Sequence, residues 1–183
     1  MLHLVMDEAR RRCQKIGGLL IDLEGQYKLT IEHAEKMLSE YYDTAEVFWV
    51  CLPLLLRNAV TQYEPRWVCW DPDARSAWIR EMPCRQDVVS DPSALPFFAE
   101  RMEFEEFVVL FGLWYGQGKK AACMVGIRCD ESLNRFRTIA SKSKEVAGDK
   151  RWTTRIECEL YNVYPIYDWK TSDIWTYHAK NPG

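Results

Sequence analysis

The chain has 183 residues, 48% of them hydrophobic and 28% charged, with a net charge of −3; this is the composition of one globular domain, and it excludes a disordered or strongly basic protein. Nothing in that balance makes a general field for nucleic acid, and no apolar run reaches the length that spans a bilayer, so neither a nucleic-acid nor a membrane partner is expected and a cytoplasmic location is. Seven cysteines, an odd count without a C-x-x-C pair, argue for reduced and buried thiols and against a disulfide framework or a metal site.

In chain order, residues 1–15 predict a helix, with Met1, Leu2, Val5, Met6, Ala9 and Cys13 at helical spacing and Arg10, Arg11 and Arg12 on a solvated face. Gly17 and Gly18 end it. The run 19–23 reads as a buried parallel strand closed by acids, and 28–42 reads as a second helix. Residues 47–52 make a second strand, stopped by Pro53. From 57 to 100 the pattern turns irregular and proline-punctuated, with Trp67, Trp70 and Trp78; this predicts an insertion covering one edge of the domain. A helix over 103–116 and a third strand over 121–126 follow. A charged segment over 127–137 and a basic loop over 142–155 come next, then a fourth strand over 161–166. Thr171 is the candidate N-cap of a last helix, and the chain stops at Asn181-Pro182-Gly183. Alternating helices and strands predict an α/β fold around a parallel twisted sheet, built as one domain over 1–183.

Open α/β sheets bind ligands beyond the carboxyl ends of their strands. The sharpest such place is Gly126 to Arg137. Gly126 admits close backbone approach, and Arg128, Arg135 and Arg137 supply guanidinium forks suited to phosphate or sulfate. Asp130 and Glu131 orient those arginines or hold a metal-bound group. The same residues also fit an Arg–acid network that only shapes a loop. Asp22 and Glu24 end the first strand, where carboxylates accept ribose hydroxyls or sit at a helix N-terminus. Asp168 follows the fourth strand. The three histidines form no triad or ligand set, and no catalytic residue is assigned.

Two segments resemble a known family. Gly126-Ile127-Arg128-Cys129-Asp130-Glu131-Ser132, followed by Arg135, resembles the G-[IL]-R-x-x-[DE]-S-x-x-R segment of phosphoadenosine phosphosulfate (PAPS) reductase-like proteins. Pro165-Ile166-Tyr167-Asp168-Trp169 through Asp173-Ile174-Trp175 resembles their P-[IL]-x-D-W-x-x-x-D-[IV]-W segment, in the family's order. Leu20-Ile21-Asp22-Leu23-Glu24-Gly25-Gln26-Tyr27 resembles the stretch after the family's second strand. The Trp-rich segment and Trp152-Thr153-Thr154 resemble a bacterial branch labelled PAPS sulfotransferase or reductase-like. The resemblance implies a sheet of the adenine nucleotide α-hydrolase (PP-loop) type, with an adenine nucleotide, ATP or PAPS, across its carboxyl edge. It puts Arg128 and Arg135 at the sulfate or phosphate end, Asp22 and Glu24 nearer the nucleoside, and Asp168 in the pocket wall.

Two family features are missing from this sequence. One is the S-G-G-K-D-S phosphate loop with its preceding central strand; the other is the reductase's E-C-G-x-H cysteine segment. The expectation is therefore a partial domain, truncated before its first strand, that binds nucleotide weakly or not at all by itself. The alternative is a protein-binding module that uses an exposed Trp67, Trp70 and Trp78 patch.

Overall fold

The computed structural model describes residues 1–58, 60 and 62–181. Ala59 and Thr61 of the irregular segment, and Pro182 and Gly183 after the last helix, lie outside the described residues. The chain forms two compact units, Leu2–Val108 and Val109–Gly183 with Met1.

In the first unit, helix α1 (Leu2–Arg11) leads into strand β1 (Ile16–Ile21), helix α2 (Lys28–Ser39) and strand β2 (Ala45–Val50). β1 and β2 pair in parallel from Ile16 opposite Ala45 to Ile21 opposite Val50. The helix expected over 1–15 thus ends four residues sooner. Gly17 and Gly18 do not terminate it; they are strand residues paired with Glu46 and Val47. Arg11 and Arg12 both bond Glu8 one turn back, whereas Arg10 reaches Asp43, Thr44 and the Glu40 carbonyl and so ties α1 to the turn before β2. Under α1 lies a small core of Met6, Tyr41 and Ala45, with Leu2, Ile16, Met37 and Val47 packed on it.

The segment expected to be an irregular insertion contributes regular pieces. Strands β3 (Leu55–Arg57) and β4 (Arg66–Val68) form an antiparallel pair, and short 3-10 segments occur at Pro72–Ala77, kinked at Ala74, and at Pro92–Ala94, capped by Asp71 and Asp91. Strand β5 (Val88–Val89) pairs in parallel with β2, so part of this segment is built into the sheet, in the order β1-β2-β5. Two residues carry no readable period, which is why the sequence pattern misses them. The unit's deepest side chains are Trp49, Val50, Leu52, Leu54, Cys69 and Phe107, with Phe97 and Phe98 against the Phe107 ring.

Helix α3 (Phe104–Gly116) crosses into the second unit, where strand β6 (Ala121–Met124), helix α4 (Leu133–Ala140), strands β7 (Thr153–Glu157) and β8 (Leu160–Val163) and helix α5 (Thr171–Lys180) follow. β6 and β8 are parallel and β7 runs antiparallel on the other side of β8, in the order β6-β8-β7. The architecture is α/β with mostly parallel strand pairing, as expected. α4 and β7 fall where loops were expected: Ser132 caps α4 by accepting from the Arg135 amide at 3.2 Å. Thr171, the expected N-cap of α5, is its first helical residue; the capping interaction instead runs from the Lys170 amide to the Asp173 carboxylate at 2.8 Å.

Gly112 marks the closest approach of α3 to this sheet, because a Cβ there would lie 2.8 and 2.9 Å from the two δ-methyls of Leu160. Alanine is favoured over glycine in a helix by about 1 kcal/mol, but overpacking against a buried leucine costs about 1–3 kcal/mol. Gly112→Ala is therefore expected to lower stability by about 1 kcal/mol in urea unfolding; a variant as stable as the parent would mean that Leu160 has room to turn.

Candidate functional site

The two motif segments end the two parallel strands of the second unit, so parallel pairing brings them side by side. β6 runs into Gly126 and the arginine segment; β8 runs into Tyr164 to Lys170. The Cys129 amide donates to the Tyr167 carbonyl at 2.9 Å, and Arg128 Nη1 donates to the Trp169 carbonyl at 3.4 Å. Asp130 accepts from the Thr171 amide and hydroxyl at 3.2 and 3.3 Å, which fixes the arginine segment to the start of α5.

Within this cluster the acids do hold arginines. Arg128, with a side chain only 13% exposed, donates Nε to Glu131 at 3.1 Å and has Asp130 at 3.7 Å. Arg135 pairs with the other Glu131 oxygen. Glu131 thus holds two guanidinium groups with one carboxylate, leaving further N–H donors on each fork. Arg137 and Asp168 are exposed and make no ion pair among the described residues. Gly126 faces the Met1 side chain, whose sulfur would lie 3.3 Å from an added Cβ.

Asp22 and Glu24 belong to the first unit, and both are buried. Asp22 Oδ2 accepts from Trp49 Nε1 at 2.8 Å, and its Oδ1 accepts from the Glu24 amide at 3.0 Å and from Arg80. Glu24 accepts from the Trp70 amide at 2.8 Å and the Ile79 amide at 2.9 Å, while Arg80 Nε donates to the Glu24 carbonyl at 3.0 Å. The carboxylate oxygens are therefore committed to the chain's own donors. Arg80, Trp49 and Trp70 lie 25 to 60 residues along the chain, and no local spacing announces them as partners. Trp70 is buried, donates its indole N–H to the Asp22 carbonyl at 2.7 Å, and meets Trp78 edge-on at 5.1 Å. Trp67 and Trp78 are half-buried, so the three rings form no exposed patch and the binding-module alternative loses its support.

All seven cysteines are free, but only Cys51 and Cys69 are buried, while Cys13, Cys84 and Cys158 are exposed; the expectation of buried thiols holds for two. Burial pushes the Cys69 thiol up to about 11 and the Cys51 thiol higher still, so neither is a thiolate at neutral pH. No group of three or more metal-ligating side chains occurs among the described residues, and no described helix is long and apolar enough to cross a membrane. Two buried side-chain atoms have no hydrogen-bond partner among the described residues, Gln26 Oε1 and Lys144 Nζ.

The profile of the phosphoadenosine phosphosulfate reductase domain matches residues 1–182. The uncharacterized protein YbdN of Escherichia coli (strain K12) is 45% identical over 184 residues, covering 99% of this chain and 44% of YbdN. The chain thus spans less than half the length of that curated relative. No solved structure matches.

Removing the Asp22 carboxylate would leave Arg80 Nη2 and the Trp49 indole N–H without their acceptor. Breaking such a buried pair costs about 3 kcal/mol. Asp22→Ala is expected to lose that much in urea unfolding, whereas Asp168→Ala, at an exposed and unbonded position, is expected to stay within about 0.5 kcal/mol of the parent. A small loss at Asp22 would show that Arg80 finds another acceptor.

Proposed function

The chain belongs to the phosphoadenosine phosphosulfate reductase domain family, and from that premise we propose that its Gly126–Arg137 segment is the anion-gripping part of an adenine-nucleotide site. The observation that carries the proposal is the tie between the two motif segments at the carboxyl ends of β6 and β8, through Cys129–Tyr167, Arg128–Trp169 and Asp130–Thr171. Ligands of open α/β sheets bind at that end. Arg128 and Arg135, held on Glu131, grip the phosphate or sulfate oxygens of ATP or PAPS through their remaining N–H groups. Arg137 adds an exposed third cation on α4. Asp130 and Glu131 position the arginines, Gly126 keeps the strand exit narrow, and Asp168 shapes the wall after β8.

Asp22 and Glu24 have an indirect part. They stand at the carboxyl end of β1 and clasp the 70–80 segment, so they order that loop within the first unit. Grip through arginines, without backbone amides cradling the phosphates, implies weak affinity, with a Kd in the millimolar range or roughly −4 kcal/mol. The reaction belongs to sulfur or adenylyl transfer chemistry on such a nucleotide.

Thermal unfolding with ATP or PAPS tests this. Ligand at ten times its Kd should add about 1.4 kcal/mol, or a few degrees for a chain of this size. The parent is expected to shift at ligand concentrations of about ten millimolar or more, and Arg128→Ala and Arg135→Ala are expected to lose most of the shift. A parent that never shifts, or arginine variants that shift fully, would refute the proposal.

A further inference from the structure

Lys144 lies in the basic segment between α4 and β7 that the arginine loop does not use. Its side chain is half-buried, and its Nζ is out of contact with solvent and without a hydrogen-bond partner among the described residues. The ammonium sits 5.6 Å from the centre of the buried Tyr164 ring, directly after β8. A ring face offsets part of the cost of a buried cation, but it satisfies none of the three N–H donors. The nearby acids are engaged elsewhere: Glu145 holds Arg155 at 2.9 Å, and Asp149 is exposed beside Lys150. The charged neighbour that Lys144 does feel is another cation, Arg151, and Cys129 of the arginine segment is also close. Burial and Arg151 both push the Lys144 amine below its usual pKa. An unpaired ammonium facing a second cation is destabilising unless an anion joins them.

We propose that Lys144 is an oxyanion-binding residue, assisted by Arg151, that takes a phosphate or sulfate group at the carboxyl end of the β6–β8 pair. The identity of the group as part of a nucleotide rests on the proposed function; the oxyanion site itself rests on Lys144. It extends the grip of Arg128 and Arg135 to a part of the chain outside the recognised motifs. It also accounts for a cation that costs the unliganded fold stability: binding groups are commonly held in arrangements that the folded state alone would not favour.

Lys144→Met keeps the length and apolar stem while removing the charge, and it separates a binding role from a structural one. The unliganded Lys144→Met chain is expected to melt at the parent's temperature or above, and to bind ATP at least tenfold more weakly by calorimetry. Sodium sulfate, titrated against the lysine Cε resonances of the parent, is expected to move the Lys144 signal saturably. A variant that melts several degrees lower would make the ammonium a structural partner of Tyr164 and overturn the inference. So would ATP binding that Arg128→Ala weakens and Lys144→Met does not, which would leave the arginine proposal standing. Sulfate binding at Lys144 in a parent that ignores ATP would sink the nucleotide reading and keep the oxyanion site. A Lys144 resonance unmoved by sulfate would remove that site.

Discussion

A carboxylate removed from water must find donors, and the first unit is arranged around that demand at Asp22. Its oxygens accept from the Glu24 amide, the Trp49 indole and Arg80, and its carbonyl accepts from Trp70. The donors come from β2, from the 70–80 segment and from the turn after β1, so one residue at the end of β1 fixes β2 and the 70–80 segment together. Glu24 repeats the device one step on, with the Trp70 and Ile79 amides. Glu24 and Trp70 both adopt left-handed backbone, at φ of 60° and 52°. That conformation costs about 1–2 kcal/mol for a residue with a side chain, and the Trp70 amide to Glu24 carboxylate hydrogen bond helps to hold it. Arg80 also stacks over Trp70, and Arg85 over Trp49, so the indoles are held from two sides.

The second unit solves a different problem. Several arginines in one short segment repel one another, and Glu131 relieves this by taking Arg128 and Arg135 on its two oxygens. A carboxylate shared in this way restricts both guanidinium groups without using all of their donors, so less rotamer freedom remains to be lost when an anion arrives. Asp130 anchors the same segment to α5 through Thr171, so the arginines are held on a scaffold of strand end and helix start.

The parts of this structure legible in the sequence were those set by local pattern. The apolar runs at 19–23, 47–52, 121–126 and 161–166 mark four strands whose bounds in the structure are shifted by up to three residues, and the α/β class follows from their alternation with helices. The arginine and Asp-Trp motifs could be read because their residues are close in sequence. What escaped depended on partners far away. Asp22 reads as a free carboxylate until Trp49 and Arg80 are brought to it, and β5 is a strand only because β2 offers it an edge. α4 was hidden by its charged surface: Arg135 and Arg137 obscure an apolar face that buries only Ile139. Thr171 was a plausible cap by residue type, but the backbone starts the helix at it and leaves the cap to Lys170.

The clasp at Asp22 also constrains how such a sequence can change over time. Trp49 and Arg80 supply that carboxylate with its long-range side-chain donors, and the buried charge of Asp22 depends on them. Replacing Asp22 strands the Trp49 indole N–H, and replacing Trp49 leaves Asp22 Oδ2 without its donor, so single steps toward a different set cost stability. Lineages descended from a common ancestor would then keep the trio intact or exchange it as a unit. The exposed helix surfaces around it, under no such restriction, would be free to diverge one residue at a time.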